Sequence, residues 1–142
     1  MSPDSTPNER KLRYVVIGAG MSGILAAIKL RNRGETDVVV YEKGHTIGGT
    51  WRENRYPGLT CDVPAHAYTY SFAPNPDWSA FYATGEEIQR YFQKVVDDHG
   101  IRTLIDTDSE VIECIYDDAT SKWKLKLADG RTDGADVVIA AS

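Results

Sequence analysis

Several things are scarce in this chain, and each scarcity narrows what it can be. Only two cysteines occur among 142 residues, Cys61 and Cys114. That is too few, too far apart, for a disulfide framework or a zinc site. Both read as reduced thiols, which fits a cytoplasmic protein. The three histidines, His45, His66 and His99, have no metal-ligand spacing to one another, so no metal is expected. Positive charge is in deficit, with 16 Lys and Arg against 21 Asp and Glu for a net charge of −5. That balance argues against nucleic acid or an anionic membrane as a main partner. No apolar run is long enough to span a bilayer. The opening residues MSPDSTPNERKL lack the apolar core of a secretory signal and read as a flexible tail over residues 1–12. Internal repeats and low-complexity segments are missing too.

What remains is an ordinary globular composition, 42% hydrophobic and 26% charged, at the size of one domain. Arg13 to Ile17 (RYVVI) is a short β-branched run that reads as a buried first strand. From Met21 to Arg33 the apolar residues Ile24, Leu25, Ala27, Ile28 and Leu30 mark a helical face, and Gly34 supplies a stop. Asp37 to Tyr41 (DVVVY) is a second buried strand. Strand, helix and strand at this spacing imply a βαβ unit with parallel strands.

Residues 43–83 show no sustained period, and structureless loops of that length are uncommon inside compact domains. Their many aromatics argue against disorder. Most of Tyr70, Phe72, Trp78, Phe81 and Tyr82 are expected to fill the core. Thr84-Gly85-Glu86-Glu87 reads as a capping box opening a helix to about His99, with Ile88, Tyr91, Phe92, Val95 and Val96 on its buried face. Ile101 to Ile105 is expected as a third parallel strand. Two alternating runs, Glu110 to Tyr116 and Trp123 to Leu127, with a turn signal at Asp129-Gly130, predict an antiparallel meander. Ala135 to Ala140 (ADVVIA) is expected as a last buried strand.

Gly18-Ala19-Gly20-Met21-Ser22-Gly23 fits G-x-G-x-x-G between that first strand and helix, and Glu42 ends the next strand 24 residues after Gly18. In this context the motif predicts a dinucleotide site. Gly18 permits the tight turn, Gly20 lets backbone approach a pyrophosphate, and Gly23 lets the helix pack close to the sheet. The phosphates meet unpaired N–H groups at the helix start. Glu42 accepts from ribose hydroxyls and disfavours a 2′-phosphate, so FAD or NAD is expected there rather than NADP. The meander in place of a further βα unit, together with Ala27 and Gly34 at the positions that extend the glycine pattern, resembles the FAD domain of two-dinucleotide flavoproteins.

The irregular stretch GGTWRENRYPGLTCD, residues 48–62, matches [AG]-G-x-W-x4-[FY]-P-[GM]-x3-D at every specified position. It resembles the early signature of Baeyer–Villiger monooxygenases, the class B flavoprotein monooxygenases, and VPAHAYTYSF and PNPDWS continue the likeness. The resemblance implies an α/β, Rossmann-like FAD-binding domain over residues 13–142, with a parallel sheet and an antiparallel β-meander. It also implies that Ser22 and Glu42 bind the FAD diphosphate and ribose. Thr50, Trp51 and Arg52 would then lie along the flavin side. Asp62 would lie where flavin and nicotinamide meet, with Thr60 and Cys61 beside it. Tyr68 would touch FAD, and Val111 would offer backbone groups to adenine. No residue here is assigned to the chemical step itself.

In that family the chain continues into an NADPH domain with a second glycine motif, and then into a C-terminal part of the FAD domain. Neither is found here, and the chain stops at Ala141-Ser142. The sequence therefore reads as truncated and inactive alone, a segment of an enzyme that uses NADPH and O₂ to convert small-molecule ketones to esters or lactones. Two other readings stand beside it. One is a segment of a nitrogen- or sulfur-oxygenating flavin monooxygenase or another FAD oxidoreductase. The other is a stand-alone, non-enzymatic nucleotide-binding module.

Overall fold

The computed structural model describes residues 10–142, so the expected tail falls mainly outside the described residues. The elements in order are β1 (Tyr14–Ile17), α1 (Met21–Asn32), β2 (Val38–Tyr41), α2 (Thr50–Glu53) and α3 (Gly85–Asp98). A 3₁₀ turn (Arg102–Leu104) follows, then β3 (Ile105–Asp106), β4 (Val111–Asp117), β5 (Lys122–Leu127), β6 (Thr132–Ala135) and β7 (Val137–Ala140). The strands form a parallel sheet of order β3-β2-β1-β7 and an antiparallel sheet of order β4-β5-β6.

Because successive strand side chains point to opposite faces, β1 serves two cores at once. Val16 joins α1, α3 and the aromatic loop on one face, where Ile24, Ile28, Phe92, Val96 and Ile101 are buried. Val15 joins Tyr41, Leu125, Leu127 and Ala135 on the other, under the meander. The glycine motif thus follows an inner strand of a three-layer α/β, Rossmann-like fold, with helices on one face and the meander on the other.

The long segment before α3 is held in place by that helix. Gln89 Nε2 donates to the Ile47 carbonyl at 2.9 Å, and Gln93 Nε2 to Thr46 Oγ1 at 2.8 Å. The Tyr91 hydroxyl accepts from the Tyr70 N–H at 2.9 Å and donates to the Ala73 carbonyl at 2.7 Å. Tyr70 and Trp78 are buried and Phe72 packs against them, as expected for core filling. Phe81 and Tyr82 differ, for they stack edge to face on each other at the surface, 64% and 48% exposed.

Four local expectations are corrected. Ile101 to Ile105 is not a five-residue strand: Leu104 N–H bonds the Ile101 carbonyl at 2.9 Å, and only Ile105 and Asp106 pair with β2. A single 3₁₀ turn brings positions i and i+3, Ile101 and Leu104, onto one face against the core. The capping box is half made. Thr84 Oγ1 accepts from Glu87 N–H at 3.3 Å, but the Glu87 carboxylate turns away to accept from Ser79 N–H (2.8 Å) and Oγ (2.7 Å).

The expected strand from Ala135 to Ala140 is split at Asp136. Ala135 closes β6 of the meander, whereas Val137 opens β7 beside β1. Asp136 accepts from the Arg13 N–H at 2.9 Å and pairs with Lys122 and Arg10, which no buried strand position would allow. Nor is β7 fully buried: it is the end strand of its sheet, with Val137, Val138 and Ile139 half-buried and Ala140 exposed.

Candidate functional site

The glycine turn after β1 has the geometry its residues predict. Gly18 has φ +100°, a left-handed conformation that a side chain would strain. A methyl group on Gly23 would overlap the Gly18 carbonyl oxygen, so glycine is what lets α1 start against the end of β1. The start of α1 has no side-chain cap and no acid in its first turn. Among the described residues the N–H groups of Met21, Ser22 and Gly23 have no backbone partner, and the first intrahelical bond runs from Ile24 to Gly20. Unpaired donors at a helix start favour an anion.

Glu42 closes the other side. It is 3% exposed. Its Oε2 accepts from Ala19 N–H in the glycine turn at 2.8 Å, and its Oε1 from Gly44 N–H at 2.7 Å. Its backbone holds the β3–β4 turn, with Ser109 N–H on the Glu42 carbonyl at 2.9 Å, and this brings Val111 into the lining of the same cleft. The loop after β2 returns to the glycine turn through Gly48 N–H on the Ala19 carbonyl at 3.0 Å.

Between these parts lies a cleft of about 480 Å³, within the usual range for small-molecule sites. Of the residues predicted from sequence, Gly18, Gly20, Ser22, Glu42, Thr50 and Val111 line it. Gly23 acts just behind it, through packing. Residues that motif reasoning missed also line it, among them Tyr41, Lys43, Gly49, Glu53 and Ser109. Gly49 is a specified position of the loop signature that was not carried to the site, and Tyr41 adjoins Glu42, which is the signal the sequence offers for them. Tyr41 donates to Asp133 Oδ2 at 2.7 Å. Burial, and then that carboxylate, push its hydroxyl up to about 12, so it stays neutral.

The other predicted residues do not line this cleft. Trp51 packs edge to face on Tyr68, with Nε1 donating to the Tyr68 hydroxyl at 3.1 Å. Cys61 is buried, its N–H on the Ala83 carbonyl at 3.0 Å. Thr60 lines a second, smaller cleft beside Thr84 and Glu86, and Asp62 is exposed. Arg52 turns its guanidinium toward Glu42, 3.4 Å from Oε1. Among the described residues no group of three or more His, Cys, Asp or Glu could hold a metal ion.

Comparison with known proteins agrees with this geometry. Residues 16–84 match the model of the NAD(P)-binding Rossmann-like domain. A Baeyer-Villiger monooxygenase of Streptomyces coelicolor is 44% identical over 131 residues, which is 92% of this chain and 25% of that protein. The FAD-binding monooxygenase tazF of Aspergillus terreus is 43% identical over 144 residues, 97% of this chain and 25% of its own length. The solved structure of an oxidized steroid monooxygenase bound to NADP superposes with a TM-score of 0.86 at 35% identity, over 92% of this chain and 26% of that one. The chain thus spans about a quarter of the length of the relatives it matches. Over nearly all its described length, this chain resembles the FAD-binding segment of the Baeyer–Villiger monooxygenases.

Proposed function

We propose that this chain binds FAD and forms the FAD-binding part of an NADPH- and O₂-dependent monooxygenase of the Baeyer–Villiger type, in the cytoplasm. The observation that carries the reading is the cleft itself. Unpaired N–H groups at the start of α1 and a buried carboxylate at the end of β2 meet at one cleft, which Val111 also lines. A diphosphate suits the first, ribose hydroxyls suit the second, and the Val111 backbone suits an adenine edge. The donors and acceptors present therefore fit the adenosine diphosphate half of FAD.

On this reading Gly18, Gly20 and Ser22 hold the diphosphate, and Glu42 accepts from the ribose. Thr50 begins the turn that leads toward the flavin ring. Trp51, braced by Tyr68, is a rigid wall for a flat ring and keeps water from it, with Thr60, Cys61 and Asp62 further along the same loop. FAD, when bound, supplies the redox chemistry by which an oxygen atom enters beside a ketone carbonyl. The residues of this chain bind and orient it and shield it. The nicotinamide cofactor and the ketone would be met by parts of the longer protein.

The test is a visible absorption spectrum of the purified chain after FAD is added and the excess removed, beside a Glu42→Ala variant. The expected result is a retained flavin band that weakens in the variant. A colourless wild type would overturn FAD binding by this chain.

A further inference from the structure

Arg52 stands out because it is nearly buried, charged and only partly satisfied. Its side chain is 12% exposed, and its Nε is buried without a partner among the described residues. A protein seldom leaves a buried donor unpaired without a compensating interaction. The guanidinium packs against Gly44, so close that a methyl group there would overlap it. From that position Nη2 reaches Glu42 Oε1 at 3.4 Å and Glu53 Oε1 at 3.1 Å. Glu53 in turn pairs with Lys43 Nζ at 3.2 Å. Glu42, Glu53 and Lys43 line the cleft, and Arg52 lies behind them and links the two carboxylates, so that four charges of alternating sign run together.

We propose that Arg52 is a positioning residue, which holds the buried Glu42 carboxylate in the orientation that turns its remaining acceptor capacity toward a ribose. This rests on the nucleotide reading above. Glu42 is 3% exposed, and burying a carboxylate is costly unless it is paired and hydrogen-bonded. The Ala19 and Gly44 amides supply the donors, and Arg52 supplies the cation from the side away from the glycine turn. The same guanidinium presses on Gly44, whose N–H holds Glu42 Oε1, so one side chain steadies both the acid and its turn.

The test has two arms. In the first, amide exchange of Ala19 and Gly44 is followed by NMR in the nucleotide-free wild type, Arg52→Met and Arg52→Lys. Exchange should quicken at least about tenfold in Arg52→Met, beyond any change in global stability, and recover in part with lysine. In the second arm, FAD dissociation constants are measured for wild type, Arg52→Met, Glu42→Gln and the double variant. Arg52→Met should weaken binding about tenfold when Glu42 is present, and less than about twofold when it is Gln. Equal weakening in both backgrounds, or unchanged exchange at Ala19 and Gly44, would overturn the proposal. If the wild type binds no FAD, the functional reading fails, and the exchange arm still decides whether Arg52 positions Glu42.

Discussion

Trp51 and Tyr68, 17 residues apart in a segment without sequence period, meet edge to face with ring centroids 5.7 Å apart and share a 3.1 Å hydrogen bond. This pair ties the start of the irregular loop to its middle. It also shows why the loop is ordered without long secondary structure. Aromatic contacts and bonds to α3 replace the backbone ladders that a helix or strand would provide.

Trp51→Phe should keep the packing and lose the donor, leaving the partly buried Tyr68 hydroxyl without it. The expected cost is about 0.5–1.5 kcal/mol, read from the urea midpoint. A double-mutant cycle with Tyr68→Phe should show that Trp51→Phe costs little once the hydroxyl is gone. Additive effects would mean the bond contributes nothing.

Gly23→Ala should cost about 1–3 kcal/mol, because the added methyl group meets backbone and not a movable side chain. The neighbouring Ser22→Ala, at an exposed position, should change stability by less than about 0.5 kcal/mol. A chemical-denaturation comparison of the two variants checks both. Similar midpoints would remove close helix packing as the reason for the third glycine.

Asp133 joins the two sheets by accepting from Arg13 Nε at 3.1 Å and Nη2 at 2.5 Å and from the Tyr41 hydroxyl at 2.7 Å. Burial pushes its carboxyl up, but these bonds outweigh burial and hold it below the ordinary 3.8. Asp136 also lies low, held by the Arg13 N–H and by Lys122. With folded values below unfolded ones, the unfolded chain binds protons first. Stability from these groups is therefore complete above about pH 4 and is lost as pH falls through the folded values. Melting curves of wild type and Asp133→Asn should differ most near neutral pH and converge in acid. A constant gap down to pH 2 would contradict the assignment.

Much of the fold was legible in the sequence because its signals are local. The run before Gly18, the helical spacing from Ile24 to Ile28, the VVV run before Glu42 and the turn at Asp129-Gly130 each depend on a few neighbouring residues, and each appears in the structure. The glycine motif was legible for the same reason, since the strained turn at Gly18 and the helix contact at Gly23 are properties of six consecutive residues. The family resemblance added the irregular loop.

Other features depended on partners distant in the chain. Glu87 could complete a capping box or bind Ser79, and only the fold of the loop places Ser79 within reach. The apolar run around Asp136 looks continuous until Arg13, more than a hundred residues earlier, supplies an N–H for that carboxylate. Arg52 is one residue from Trp51, yet a helical turn sends the two side chains to different neighbours, Trp51 to Tyr68 and Arg52 to Glu42. The sequence by itself determined the βαβ unit, its glycine turn and the acid that follows, because strand period, helix period and glycine sterics act within a few residues. The tertiary structure alone decided which long side chains share a wall of the cleft, because burial and charge pairing depend on what the fold brings near.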